Sequence, residues 1–279
     1  MLKKIKKFIT NKDEYYPNIE IFGYHFLKSI RKVAVKLHFS NPKNNDKDMF
    51  DWTLYHLHYL GELKKVSKYY TQSLKKNDYV LKNGKLIKNN QEIKPLHESH
   101  EFLYETILQL NPDSIFEMGC GTGMHLHNLS VLLPNKRICG IDLSDKQLKS
   151  LEKTYPHLKN NISQSDATTL FTKLPFEQCD LTYTQAVIMH IRTDELHLIA
   201  LENLFAMSKK YVILMEAMKN HDYLSDIKKL FNSGKIKWDK IFFYYRINNR
   251  TGRPNGIICS NTPLDYPELK SDSIFNETH

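Results

Sequence analysis

The sequence predicts an α/β fold built on a doubly wound, mostly parallel sheet of seven strands that ends in an antiparallel C-terminal hairpin, preceded by a helical N-terminal extension. Three observations carry this expectation. From Ser114 onward, short apolar runs alternate with amphipathic stretches. A glycine-rich turn, Gly119-Cys120-Gly121-Thr122-Gly123, joins the first of those runs to the helix after it. The last two runs, 241–246 and 256–260, have no helical stretch between them, only a connection with two glycines and a proline.

Residues 1–95 are expected to form the extension, acting as a lid, and residues 96–279 the main domain. The first 45 residues are basic and irregular apart from an apolar cluster at 21–35. Over 47–75, Trp52, Tyr55, Tyr59, Leu63, Val66, Tyr70 and Leu74 recur at steps of three and four, the period of one helix face. Strand-like runs at 79–82 and 85–88 flank Asn83-Gly84, a dipeptide suited to a type I′ turn. A helix at 97–110 closes on Asn111-Pro112. Strands are then expected at 114–118, 137–142, 161–165, 180–184 and 211–216, before the two of the hairpin. Helices are expected at 123–133, 145–155, 194–207 and 223–231.

Composition narrows the function classes. The 279 residues are 41% hydrophobic and 25% charged, as in globular proteins. No apolar run reaches the roughly 18 residues that cross a bilayer. The basic start has no apolar stretch of about 7–15 residues behind it, as a secretory signal would. Cys120, Cys139, Cys179 and Cys259 form no C-x-x-C pair, which fits a reducing cytoplasm. Asp46, Asp48 and Asp51 lack a second cluster to complete a metal site, so no metal is expected. The net charge of +9 is spread along the chain; it is compatible with biased composition and with an anionic partner, either a small molecule or RNA.

The chemistry concentrates between 117 and 123. Glycines at 119, 121 and 123 permit a tight backbone turn close to a ligand, at the strand–helix junction where open α/β sheets bind. Asp142 ends the second strand, 142 − 119 = 23 residues on, where a carboxylate can accept from both hydroxyls of a ribose. A dinucleotide site shares these features, but here the third glycine follows after one residue rather than two. Glu117 would also repel a pyrophosphate, whereas it favours a ligand carrying an ammonium. S-adenosylmethionine has an ammonium, a sulfonium and no phosphate.

Glu-Met-Gly-Cys-Gly-Thr-Gly at 117–123 resembles the first motif of class I, Rossmann-like S-adenosylmethionine-dependent methyltransferases, an acid followed by G-x-G-x-G. The resemblance spans about residues 98–260 and implies a cofactor set. Gly119, Cys120, Gly121 and Gly123 would form the cofactor loop, with Glu117 near the methionine part. Asp142 would bind the ribose, Leu143 would lie against the adenine, and Asp166 with Ala167 would meet the adenine amino group. Thr-Tyr-Thr-Gln-Ala-Val-Ile-Met-His-Ile at 182–191 matches the fourth strand and its loop, placing Gln185 by the cofactor.

Methyl transfer needs alignment, exclusion of water and, for some acceptors, a base. His190 is the candidate base, since histidine titrates near neutral pH; fixing the loop is its alternative role. Glu216, ending the fifth strand, could hold a cationic or hydroxylated substrate. Tyr55, His56, Tyr59, His97 and Tyr104 are candidate substrate contacts. No [DNS]-P-P-[YFW] follows the fourth strand, and no Pro-Cys nucleophile is present there, which disfavours DNA amino and pyrimidine carbon-5 methylation. The chain is similar in style to bacterial methyltransferases acting on small molecules and surface-carbohydrate precursors. An RNA methyltransferase and a catalytically inactive cofactor-binding partner remain as alternatives. A monomer or homodimer is expected.

Overall fold

The computed structural model describes residues 72–89, 92–191, 195–248 and 250–275. The expected extension up to residue 71, including Tyr55, His56 and Tyr59, lies outside them. Residues 72–75, expected to finish a helix, have no regular structure.

The hairpin forms as expected, from β1 (Tyr79–Lys82) and β2 (Lys85–Lys88). Asn83 and Gly84 have φ of 50° and 73°, the paired left-handed residues that a type I′ turn demands. Helix α1 (Glu98–Leu110) follows and stops at Asn111, a left-handed cap with φ 46°, just before Pro112. The hairpin, α1 and the sheet share one apolar cluster through Leu74, Tyr79, Leu86, Leu96, Phe102 and Ile107. A buried polar tie reinforces it. Leu86 N donates to Glu105 Oε1 at 2.9 Å, and Arg246 donates to Thr106 Oγ1 at 2.6 Å while pairing with Glu105 Oε2 at 3.5 Å.

The main sheet then builds from β3 (Ser114–Met118), α2 (Met124–Leu132), β4 (Arg137–Asp142), α3 (Asp145–Thr154), β5 (Ile162–Gln164), β6 (Cys179–Gln185), α4 (Leu196–Ala206), β7 (Ser208–Met215), α5 (Tyr223–Asn232), β8 (Phe242–Ile247) and β9 (Pro254–Ser260). Its seven strands run in the order β5-β4-β3-β6-β7-β9-β8. All the pairings from β5 to β7 are parallel. β9 pairs antiparallel with both β7 and β8, so the final hairpin does not simply append to the edge. Its second strand inserts inside the first. Burial explains the choice: from Gly256 to Ser260 every residue of β9 is buried, whereas β8 keeps part-exposed side chains suited to an edge.

Alternate residues of the strands feed two cores. Phe116, Met118, Ile141, Val212 and Leu214 pack against α4 and α5. Ile115, Leu181, Tyr183 and Ile213 pack against α1, α2 and α3. Among the described residues, no helix is long and apolar enough to cross a membrane.

Candidate functional site

The reversal of strand order beside β3 places the carboxyl ends of β4, β3, β6 and β7 side by side, where open α/β sheets bind ligands. Those ends carry Asp142, Glu117 with the glycine turn, Gln185 and Glu216.

The turn after β3 is pinned to β4. The amides of Gly119 and Cys120 both donate to Ile141 O at 2.8 Å. Gly119, Gly121 and Gly123 have φ of 79°, 53° and 78°, so the backbone requires glycine at each. Space requires it too, but the obstacles are protein. A Cβ on Gly119 would stand 2.3 Å from Val187, and one on Gly123 would stand 2.4 Å from Leu151. A Cβ on Gly121 would stand 2.8 Å from the Gln147 amide oxygen. The glycines therefore let α3 and the loop after β6 close onto the turn. The Cys120 side chain is buried in the core, and desolvation raises its thiol pKa well above the ordinary value. Its backbone is what belongs to the turn.

Asp142 is 9% exposed. Its Oδ2 accepts from Gly121 N and its Oδ1 from Ser144 N, both at 2.8 Å, so each oxygen retains a lone pair for a ligand hydroxyl. Burial raises its pKa and these two amides oppose the rise. Leu143, next in sequence, is exposed, which for a leucine supplies an apolar wall. Asp166 uses Oδ1 to cap its own loop, accepting from Thr168 N at 2.8 Å and Thr168 Oγ1 at 2.7 Å. The loop's shape depends on Asn203 of α4, which the sequence reading did not single out. Its amide donates to Ala167 O and Thr169 O and accepts from Phe171 N, all within 2.9 Å. The signal was present: an asparagine inside an apolar helix face is buried only if satisfied.

Glu117 is 2% exposed, and its Oε2 has no hydrogen-bond partner. Desolvation raises its pKa to about 8; nearby Tyr183 counteracts this, and the Asp142 charge adds to it. The Tyr183 hydroxyl is itself buried without a partner of hydrogen-bond geometry, so proximity rather than a formed bond couples the two. Gln185 Oε1 is a second buried acceptor with no donor. Glu117 stands opposite Tyr183 across the β3–β6 pairing, and Gln185 lies two residues beyond Tyr183, on the same face of the sheet.

After Gln185 the chain enters a strained turn. Ala186 has φ 53°, a left-handed conformation that costs an alanine about 1–2 kcal/mol. A 3-10 turn at Ile188–His190 follows. Glu216, expected as a substrate contact, is spent on this turn. It accepts from Thr184 Oγ1 at 2.9 Å, from Val187 N at 3.1 Å on both oxygens, and from Met189 N at 3.0 Å. Two amides past the end of β6, and the Thr184 hydroxyl within it, need an acceptor, and the carboxylate supplies it. Although part of its surface is open, surrounding protein desolvates it enough to raise its pKa to about 7 against the lowering effect of these donors. His190 lies at the end of the turn, its amide bonded to Val187 O at 3.0 Å.

Two further expectations change. Tyr104 is fully buried; its hydroxyl pairs with His125 Nδ1 at 2.7 Å and accepts from Asn128 Nδ2 at 3.0 Å, so it belongs to a core network rather than a substrate mouth. His97 caps α1, its Nδ1 accepting from Ser99 N at 3.3 Å. Among the described residues, no cluster of three or more histidine, cysteine or acidic side chains could hold a metal.

The donor set fits S-adenosylmethionine. Two buried acceptors lack a donor where an ammonium would bring three N–H groups, and a buried carboxylate stands at the next strand end for a diol.

Residues 115–210 match the family model described as a methyltransferase domain. No curated protein matches by sequence. Among solved structures, the methyltransferase domain of bacterial CtHen1 is similar at 19% identity over 58% of this chain and 97% of that one, with a TM-score of 0.43. Magnesium protoporphyrin IX methyltransferase from Synechocystis PCC 6803, with bound SAM, is 13% identical over 59% and 79%, with a TM-score of 0.44. The plantazolicin methyltransferase BpumL, in complex with SAH, is 14% identical over 59% and 82%, with a TM-score of 0.42. Residues 115–210 therefore carry a methyltransferase domain, set in a Rossmann-like sheet with an inserted antiparallel strand and an acid-led glycine turn.

Proposed function

We propose that the protein moves a methyl group to an oxygen or nitrogen of a small molecule, a phosphorylated or carbohydrate intermediate of bacterial surface polysaccharide, in the cytoplasm. The observation that carries methyl transfer is the pair of buried acceptors, Glu117 Oε2 and Gln185 Oε1, with no donor of the protein's own. The bound cofactor supplies a methyl already activated on a sulfonium. Glu117 and Gln185 would take its ammonium, Asp142 the ribose hydroxyls, Leu143 one adenine face and Asp166 the adenine amino group. Asn203 keeps the 167–171 loop in place for that contact. His190 would accept a proton from the acceptor or hold it in line. The small-molecule reading is supported by Thr184-Gln185-Ala186-Val187 after β6, where DNA amino methylation would need [DNS]-P-P-[YFW] and pyrimidine carbon-5 methylation a Pro-Cys nucleophile. The +9 charge supports an anionic acceptor and, as a second reading, RNA.

The test is turnover of labelled S-adenosylmethionine against sugars, sugar phosphates, nucleotide sugars and total RNA, at low and high salt. Label entering a small acceptor, lost in His190→Ala, is expected. Label entering RNA alone, in a salt-dependent way, would transfer the conclusion to RNA. Tight S-adenosylhomocysteine binding with no acceptor labelled would favour a cofactor-binding partner without catalysis.

A further inference from the structure

The turn that follows β6 is gripped on two sides, and only one side involves Glu216. On the carbonyl side, His221 Nε2 lies 3.2 Å from Ile188 O, and Asn220 Nδ2 donates to Met189 O at 2.9 Å. Only an Nε2–H imidazole can donate to a carbonyl, so the contact fixes the tautomer of His221. The ring is itself fixed: it stacks on His197 at 4.2 Å with 16° between planes, and Tyr223 meets its edge at 5.4 Å. His197 is in turn held by Asp226 Oδ2 at 3.2 Å. On the amide side, Glu216 accepts from Val187 and Met189. What is gripped touches the cofactor loop directly, since the Val187 methyls occupy the space where a Cβ on Gly119 would be. The same segment begins with left-handed Ala186, whose amide bonds to Met215 O at 3.0 Å, and ends with His190. A disfavoured alanine conformation persists only where surrounding contacts over-determine it.

We propose that Glu216 and His221, assisted by Asn220, form a two-sided clamp on the turn from Ala186 to His190, and that both are positioning residues for the methyl-transfer site. This rests on the methyltransferase reading for its consequence, though not for its geometry. The clamp acts through Val187 on Gly119 and so on the loop that would hold the cofactor. Neither Glu216 nor His221 needs to touch cofactor or acceptor.

The experiment combines S-adenosylhomocysteine calorimetry with amide hydrogen exchange on the full chain. Glu216→Gln places an NH2 against an amide N–H, and His221→Phe keeps the ring stack but removes the donor. Each is expected to speed exchange at the Val187 and Met189 amides about tenfold or more, and to weaken S-adenosylhomocysteine by about tenfold. His221→Gln, which can again donate to Ile188 O, should restore both readouts, as a merely structural ring would not. Should His221→Phe fail to fold, Asn220→Ala removes the second carbonyl contact more gently and should shift both readouts in the same direction. A folded His221→Phe or Asn220→Ala with unchanged exchange and affinity within about twofold of wild type overturns the clamp. If wild type itself does not bind S-adenosylhomocysteine, the cofactor reading fails, while the exchange pattern still decides whether the clamp exists.

Discussion

Replacing Glu117 by glutamine gives the sharpest test of the cofactor site, because the structure sets both sign and size. The carboxyl is buried with an unpartnered oxygen, and desolvation raises its pKa to about 8. At pH 7 it is therefore about nine-tenths protonated without cofactor. An ammonium placed against it stabilises the charged form and lowers that pKa, so binding must release up to about 0.9 proton at pH 7. By the same linkage, S-adenosylhomocysteine affinity should rise about tenfold between pH 6 and pH 7. The range is best kept below about pH 7.5, where the ligand's own α-ammonium begins to titrate. Calorimetry in buffers of different ionisation enthalpy counts the protons directly. Glu117→Gln should bind more weakly, release almost none and show a nearly flat profile. A wild type that releases no proton, or a variant that keeps the slope, would refute the assignment of the ammonium to Glu117.

The same group predicts how stability varies with pH. Its folded pKa of about 8 exceeds the ordinary 4.5, so the folded chain binds more protons between those values. Its contribution thus falls as pH rises from about 4.5 through 8; urea unfolding should show Glu117→Gln gaining on wild type toward pH 8, and a constant difference would count against the buried carboxyl. Asp142→Ala removes the acceptor of Gly121 N and Ser144 N and any ribose bonds, and should weaken S-adenosylhomocysteine by about 1–3 kcal/mol in calorimetry. Gly123→Ala forces a Cβ to 2.4 Å from Leu151 at φ 78°, and should lower stability by about 1–3 kcal/mol in thermal or urea unfolding. Tyr104→Phe leaves His125 Nδ1 and one Asn128 donor without their shared partner, for a loss of about 1–3 kcal/mol in the same assay.

Much of the cofactor side was legible because the features it depends on are local. Left-handed φ at residues 119, 121 and 123 can be read as glycines, and an acid at a strand end follows from apolar periodicity. The same locality located the Asn83-Gly84 hairpin and the span of β3 and β4. Glu216 shows where that reasoning stopped. A carboxylate after an apolar strand reads as available for substrate, yet the amides it accepts lie 27 and 29 residues away in sequence. Tyr104 likewise looked free to face a ligand, until α2 brought His125 and Asn128 against it. Asn203 and His221 carried no motif, since each serves carbonyls on loops distant in the chain.

The sequence by itself determined the alternation of strands and helices, the glycine turn after β3 and the acids that bracket it, because backbone conformation and burial period are properties of neighbouring residues. Only the tertiary structure decided that β9 enters between β7 and β8, that Val187 and Leu151 are what the glycines accommodate, and that Glu117 keeps an unpartnered oxygen while Glu216 keeps none. Those outcomes depend on which polar groups meet across the assembled sheet and which are left without a partner, a matter settled by packing between segments far apart in the chain.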